Sequence, residues 1–370
     1  MEEYDVLIIG AGPSGTALAQ YLKEKSINSL IIEKGMPFRD KVCAGGLPVV
    51  LEKILPSNLR NFERNVYDKI SIDYRNAYSI SAKAEKPFLY GVVRPKFDQF
   101  LREGTNVHYD EHFIKYEEDN NGIVVYTNKL KYSCKFLIGA DGVGSLVSLQ
   151  SGLAKKKRFI VAEEKEVQEE ARDRSILSVF LGYNFLGYGW ALPKDGFVSS
   201  GSGALKGHFQ KGTVNKFNRG DAPIKVFPIS LWDGIETLAK GRVALVGEAG
   251  NLVDPFTAAG IYPAILSSML LSEVIDKNLK LNLADLTHYN ELLEDKLYSE
   301  FRYAHTLSNM FFPFLSLTNR AILQTGFINY LLELAQSGYL SYEKIFNRVE
   351  NTKRIPVKIA FALVKIFIRW

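Results

Sequence analysis

The start of the chain passes quickly from a strand-like pattern to a helix-like one and back. Residues 4–9 form an apolar run of strand type, residues 10–15 are rich in glycine, and residues 16–25 place apolar side chains at helical spacing. A second apolar run follows over residues 29–33. This order predicts a βαβ unit, in which a helix connects two parallel strands.

Beyond this unit the pattern predicts a second region that is rich in strands. Residues 69–90 alternate apolar and polar positions as half-exposed antiparallel strands do, and residues 175–229 are strand-like again, with many aromatics and glycines. The remaining segments predict a helix over 94–102, strands over 122–127, 132–138 and 241–246, a long apolar helix over 260–278, and further helices after residue 283.

These patterns together predict an α/β fold. We expect a Rossmann-like nucleotide-binding domain that is discontinuous in sequence, an inserted antiparallel-sheet substrate domain, and a helical C-terminal region. The predicted bounds are 1–60, 92–150 and 241–282 for the first, 61–91 and 151–240 for the second, and 283–370 for the third.

The composition is that of a folded protein. Of the 370 residues, 46% are hydrophobic and 24% are charged, and the net charge of +5 is mild. Lysines and arginines are scattered along the chain, so we expect no nucleic-acid partner. No apolar run is long enough to span a bilayer, and the start lacks the features of a signal peptide.

The chain has only two cysteines, Cys43 and Cys134, and neither has the spacing of a metal site. We therefore expect neither a disulfide nor a metal, and a reducing cytoplasm as the location. Residues 354–370 alternate cations with large apolar side chains. Two interpretations of this tail stay open: a helix lying on a membrane surface, or a buried C-terminal helix.

The glycine-rich turn fits the dinucleotide-binding pattern G-x-G-x-x-G, and its position between a strand and a helix gives the pattern weight. Gly10 permits the tight turn, Gly12 lets a pyrophosphate approach the backbone, and Gly15 lets helix and strand pack closely. Glu33 ends the next strand, where a carboxylate accepts hydrogen bonds from ribose hydroxyls and repels the extra phosphate of NADP. We expect the nucleotide to be held here by Gly10, Gly12, Pro13, Ser14, Gly15, Glu33 and Lys34.

Two later motifs carry a family resemblance that indicates which dinucleotide to expect. They are residues 139–142, which read Gly-Ala-Asp-Gly, and residues 247–250, which read Gly-Glu-Ala-Gly and are followed by Asp254 and Pro255. Their order resembles the glutathione-reductase-type flavoproteins of the aromatic-hydroxylase and geranylgeranyl-reductase branch, in which the second motif usually carries aspartate instead of Glu248. The resemblance implies FAD as the cofactor. It also implies that Arg94 lies near the flavin phosphates, where a guanidinium makes paired hydrogen bonds.

Three segments are similar to the geranylgeranyl reductases rather than to the hydroxylases. Residues 41–47 resemble their Cys-Gly-Gly segment, and residues 188–193 resemble their Tyr-x-Trp-x-Phe-Pro motif, with Leu192 in place of phenylalanine. Residues 254–264 resemble the segment beside the flavin ring, where Gly-Glu-Gly is usual and residues 258–260 are Ala-Ala-Gly. The resemblance adds Cys43, Ala44, Arg94, Asp141, Gly142, Gly247, Glu248, Pro255, Gly260 and Ile261 to the expected FAD-binding residues.

The chemistry of an isolated alkene gives three side chains an expected catalytic role. Saturation joins a proton at one carbon to a hydride at the other, so positive charge develops at the tertiary carbon. Tyr188 and Trp190 present aromatic faces that favour this charge, although ordinary strand aromatics would give the same pattern. Cys43 either moves a proton or is an inert thiol, and Cys134 is expected to be structural.

The expected function is therefore an FAD-dependent oxidoreductase acting on CH–CH groups, with geranylgeranyl chains as the isoprenoid substrate. The reductant stays open between NAD(P)H and a ferredoxin-type donor, and a peripheral membrane contact is part of the expectation. Two alternatives remain: an FAD-dependent monooxygenase of the same fold that uses NAD(P)H and dioxygen, and a non-catalytic, membrane-associated flavin-binding protein.

Overall fold

The computed structural model describes residues 1–38, 41–120, 122–155, 158–313, 315, 327–337 and 341–350. The tail over residues 354–370, for which a membrane-surface helix and a buried helix were both open, lies outside these ranges. None of the described helices is both long enough and apolar enough to cross a bilayer.

An eight-stranded sheet forms the larger layer, and its centre is the predicted βαβ unit. Strand β1 (Glu2–Ile9) leads through helix α1 (Pro13–Glu24) into β2 (Ser29–Ile32), which runs parallel to it. The other strands of this sheet are β8 (Val107–His108), β9 (Phe113–Glu118), β10 (Ile123–Thr127), β11 (Lys131–Gly139), β17 (Ala239–Lys240) and β18 (Val243–Leu245).

The carboxyl ends of the parallel strands meet at one edge of this sheet. Ile9 pairs with Ile32 on one side and with Gly139 on the other, and Gly139 pairs with Leu245. The turns that follow these strands therefore lie side by side, although they come from distant parts of the sequence. In open α/β sheets this edge is where ligands bind.

A seven-stranded sheet forms the second layer, in the order β16-β12-β15-β14-β13-β5-β6. It is antiparallel apart from the parallel pair β5 and β13. Its strands are β5 (Lys69–Tyr74), β6 (Tyr78–Lys83), β12 (Arg158–Val167), β13 (Ile176–Leu181), β14 (Gly187–Pro193), β15 (Val198–Leu205) and β16 (Lys225–Leu231).

The hydrophobic pattern did not predict β12, since four charged residues in a row occupy its second half. A small third sheet pairs β3 (Gly46–Pro48) and β4 (Asn65–Tyr67) with β7 (Leu89–Gly91).

Helices cover both sheets. Besides α1, those before residue 200 are α2 (Leu51–Ile54), α3 (Arg94–Arg102) and α4 (Leu146–Ser151). The later ones are α5 (Ile261–Lys280), α6 (His288–Leu293), α7 (Ser299–Phe311), α8 (Phe327–Ser337) and α9 (Tyr342–Glu350). Helix α5 lies against α1, where the Ser268 hydroxyl donates to the Ser14 carbonyl at 2.8 Å. The expected fold, a Rossmann-like domain with an inserted sheet and a helical C-terminal region, is confirmed.

Candidate flavin site

The glycine-rich turn after β1 packs so tightly that neither Gly10 nor Gly15 has room for a side chain. Gly10 has a φ of +106°, and a Cβ on it would lie 2.5 Å from the Ala140 carbonyl oxygen. A Cβ on Gly15 would lie 2.0 Å from the Gly10 carbonyl oxygen. Helix α1 starts directly behind this turn, with Gly12 as its N-cap and Pro13 as its first residue. Free backbone N–H groups at such a helix start favour an anionic phosphate.

Glu33 lies at the end of β2, directly beside the glycine turn. Its side chain is buried, and its carboxylate accepts hydrogen bonds from the N–H groups of Ala11 and Gly35, both at 2.7 Å. The hydrogen bond from Ala11 thus holds the glycine turn against the end of β2. Its neighbour Lys34 is exposed.

The two later motifs follow β11 and β18 at the same edge. Oδ2 of Asp141 accepts from the Leu146 N–H at 2.8 Å, while its buried Oδ1 has no hydrogen-bond partner within the described residues. Burial raises the pKa of the Asp141 carboxyl. Glu248 lies next to Gly142, and its Oε1 accepts from the Ser230 N–H at 3.1 Å.

These features fit the expected cofactor. The start of α1, held close to β1 because Gly10 and Gly15 carry no Cβ, offers backbone N–H groups, and Asp141 brings to the same edge a buried acceptor that has no hydrogen-bond partner within the described residues. A dinucleotide supplies phosphate oxygens for the first and hydroxyl donors for the second.

The loop that carries Cys43 leads into β3 of the small third sheet. Arg94 is buried beside it, and its Nε and Nη2 donate to the two carboxylate oxygens of Asp98, both at 3.0 Å. Burial would lower the pKa of Arg94, but Asp98 and the Cys43 side chain outweigh it, so the pKa is raised. Arg94 is thus a permanent cation at the Cys43 thiol. Whether it also contacts the flavin phosphates stays a prediction.

Two buried charges beside Cys43 were missed by sequence reasoning. Lys194 follows β14 and is 2% exposed, and Glu164 lies in β12 and is 4% exposed. Lys194 directly follows the predicted aromatic motif, so its position in the sequence could have identified it as a site residue. Glu164 gave none, because it stands in a charged run that looks solvated.

The segment 254–260 joins the flavin edge to the aromatic strand. Oδ1 of Asp254 accepts from the N–H groups of Phe256 and Thr257 at 2.8 and 2.9 Å, and its Oδ2 accepts from the Tyr342 hydroxyl at 2.5 Å. Ala258 has a φ of +55°, a region that favours glycine. Pro255 is buried within this segment, and Gly260 and Ile261 begin α5.

The aromatic motif lies in β14 and touches that segment. The Tyr188 hydroxyl donates to the Thr257 carbonyl at 2.5 Å, and burial raises the pKa of Tyr188. The Tyr188 ring stacks 6.4 Å from Phe312, centre to centre, and lies 6.2 Å from Trp190. The buried indole N–H of Trp190 has no hydrogen-bond partner within the described residues. The structure therefore brings Tyr188, Trp190 and the predicted flavin segment together.

Cys134, by contrast, lies in the middle of β11 and is buried. Burial raises its pKa to about 12, so the thiol is held in its neutral form. This agrees with the structural role expected for it.

Comparison with known proteins supports the same picture. Residues 3–49 match the FAD binding domain family. The chain is 28% identical to digeranylgeranylglycerophospholipid reductase of Methanococcus vannielii, over 75% of this chain and 78% of that protein. It is also 28% identical to chloroplastic geranylgeranyl diphosphate reductase of Arabidopsis thaliana, over 83% of this chain and 74% of that protein.

Among solved structures, a geranylgeranyl bacteriochlorophyll reductase-like protein of Thermoplasma acidophilum superposes with a TM-score of 0.79 at 21% identity, covering 98% of this chain and all of the other. The names of these relatives agree with the expected enzyme class, an oxidoreductase acting on CH–CH groups. The resemblance stated from the sequence is confirmed: the chain is an FAD-binding flavoprotein similar to the geranylgeranyl reductases.

Proposed function

We propose that the protein is an FAD-dependent reductase that saturates the C=C bonds of geranylgeranyl chains, carried on a diphosphate or on a glycerolipid. The observation that carries the proposal is the hydrogen bond from Tyr188 to Thr257, since it holds an aromatic, apolar strand against the segment predicted to border the flavin ring. The names of the two curated relatives support prenyl chains as the substrate class.

Each part of the site has a role in this reaction. Reduced FAD supplies the hydride equivalent when it is bound. The residues proposed to hold it are the glycine turn 10–15, Glu33, Arg94, Asp141 and Glu248. Tyr188 and Trp190 orient the chain and stabilise positive charge at the tertiary carbon. The Cys43 thiol, held beside Arg94, gives its proton to the other carbon of the double bond.

An anaerobic single-turnover experiment tests the proposal. The pre-reduced protein is mixed with geranylgeranyl diphosphate or with a digeranylgeranyl glycerophospholipid, and the products are examined by mass spectrometry. A gain of two hydrogens per double bond is expected, with reoxidation of the flavin. No gain with either substrate overturns the proposal.

The same assay separates the alternatives. Oxygen incorporation after admission of air, with NAD(P)H present, would identify a monooxygenase. A flavin that no substrate reoxidises would identify a binding protein without turnover. Supplying NAD(P)H or a reduced ferredoxin in place of chemical reductant shows which donor the enzyme accepts, and flotation with lipid vesicles tests the peripheral membrane contact.

A further inference from the structure

Lys194 binds the Cys43 loop from the side of the second sheet. Its Nζ donates to the carbonyl oxygens of Ala44 at 2.9 Å and Val92 at 3.0 Å. Burial lowers its pKa to about 8, although Cys43, Glu164 and Glu166 oppose that shift. Lys194 and Arg94 therefore place two cationic groups at one thiol.

Glu164 completes this cluster from β12. Its Oε1 accepts from the Ser199 hydroxyl at 2.5 Å, and its carboxylate also accepts from the backbone N–H of Cys43. Burial raises its pKa from the ordinary value of 4.5 to about 7. The carboxyl group therefore takes up and loses its proton near neutral pH, and its contact with the Cys43 N–H places it against the loop that carries the thiol.

The charged groups that face Glu164 lie on β12, on β16, on the segment after β14 and on the loop before Cys43. Glu166 on its own strand raises its pKa, and Lys194 lowers it. Lys225 lies opposite Glu164 on β16, and Lys41 lies on the loop before Cys43.

A cavity of about 150 Å³ connects this carboxyl group with the surface. Its walls include Val42, Glu164, Glu166 and Lys225. Glu166 and Lys225 are exposed, so water reaches the cavity, whereas Glu164 is almost fully buried at its inner wall. The carboxyl group thus stands between water and the Cys43 loop.

We infer that Glu164 is a proton-relay residue, which takes a proton from water in this cavity and returns it to the Cys43 thiolate held by Lys194 and Arg94. The inference rests on the proposed function for the destination of the proton. In each turnover the thiol loses one proton to the alkene, the carboxyl group of Glu164 loses one to the thiolate, and water restores the one on Glu164. The hydride equivalent comes from the reduced flavin, so the alkene gains two hydrogens and no other reactant is needed.

The first test needs no turnover. The pH at which iodoacetamide alkylates Cys43 at half its maximal rate is measured in the purified full-length protein, where buried Cys134 does not compete. Glu164→Gln removes a negative charge beside the thiolate, so this pH should fall by about one unit. Glu169→Gln, an equal charge change at an exposed position, is the control and should leave it unchanged. Equal values for the two variants would overturn the inference.

The second test is the pH profile of flavin reoxidation by geranylgeranyl diphosphate. The rate should fall as the pH rises through about 7, where Glu164 loses its proton. Ser199→Ala removes a hydrogen bond to the ionised carboxylate, which raises the pKa of Glu164 and moves this fall to higher pH. Glu164→Gln should lower the rate about tenfold or more and abolish the fall.

These readouts separate the relay from a structural role and from failure of the proposed function. A structural role would lower the rates of both variants without changing the pH profile, and that result would overturn the inference. Absence of turnover in the wild-type protein would overturn the proposed function, while the alkylation measurement would still decide whether Glu164 and Cys43 are coupled.

Discussion

The flavin edge and the charged cluster around Cys43 meet at one loop but are built in different ways. The flavin edge uses backbone geometry: a turn in which Gly10 and Gly15 have no room for a Cβ, a helix start, and acidic residues at strand ends. The cluster uses buried charged side chains of β12 and of the segment after β14, which are compensated by one another and by hydroxyl and carbonyl groups. The properties of the first therefore depend on shape, and those of the second depend on charge.

The largest expected effect follows from the shape of the turn. Gly15→Ala places a Cβ 2.0 Å from the Gly10 carbonyl oxygen, a backbone atom that cannot move without opening the turn. We expect loss of bound FAD and a cost of about 3 kcal/mol in the free energy of unfolding. Flavin absorbance per protein and urea unfolding measure the two quantities.

Gly203→Ala is the matched control for this substitution, because a Cβ there meets its nearest neighbour at 3.4 Å. It should retain FAD and unfold at nearly the wild-type urea concentration. Retention of FAD by Gly15→Ala would show that the turn is not the cofactor's anchor.

The second expected effect is a change in the free energy of unfolding with pH when the charge of Glu164 is removed. The folded-state pKa of Glu164 is raised, so the folded protein holds this proton more tightly than the unfolded chain does. Its ionised form therefore destabilises the fold increasingly as the pH rises from 4.5 to about 7. Glu164→Gln should consequently gain up to about 3 kcal/mol over the wild type at pH 8, and little at pH 5.

The adjacent residue provides the contrast. Glu163 points to the other face of β12, where its carboxylate accepts from the Ser202 hydroxyl and from the N–H groups of Gly212 and Val214. Glu163→Gln leaves donors unpaired, so it should cost about 2 kcal/mol at both pH values. If Glu164→Gln behaved in the same way, its role would be structural too.

The two regions also differ in how far the sequence reveals them. Gly10, Gly15 and Glu33 are close in the chain, and their spacing alone predicts the βαβ unit that the structure contains. Glu164 contacts Ser199 and Cys43, which are distant from it in sequence, so no local sequence pattern identifies it as a site residue. Strand β12 escaped prediction for the same reason, since the strands that pair with it, and beside which Glu163, Glu164 and Lys165 are buried, come from far along the chain.

A third effect tests the aromatic strand that links the two regions. Trp190→Ala removes a ring that would stabilise positive charge on the substrate, and a desolvated cation–π contact is worth about 2 kcal/mol, or roughly 30-fold in rate. We expect flavin reoxidation by substrate to slow by this factor while FAD stays bound. An unchanged rate would show that the ring only packs against Gly201 and the rest of the sheet.

The smallest effect concerns Ala258, a residue of segment 254–260 that is not glycine although its backbone lies in the left-handed region that favours glycine. Its φ of +55° costs alanine about 1–2 kcal/mol, whereas glycine adopts it freely but loses about 0.5–1 kcal/mol through its more mobile unfolded chain. Ala258→Gly should therefore stabilise the fold by less than about 1 kcal/mol, seen as a small rise in melting temperature. Ala259→Gly, which has no such strain to relieve, should lower it. Equal losses of stability in both variants would mean that backbone strain at Ala258 does not determine the stability of this segment. The hydrogen bonds from the N–H groups of Phe256 and Thr257 to the Asp254 carboxylate would then determine it.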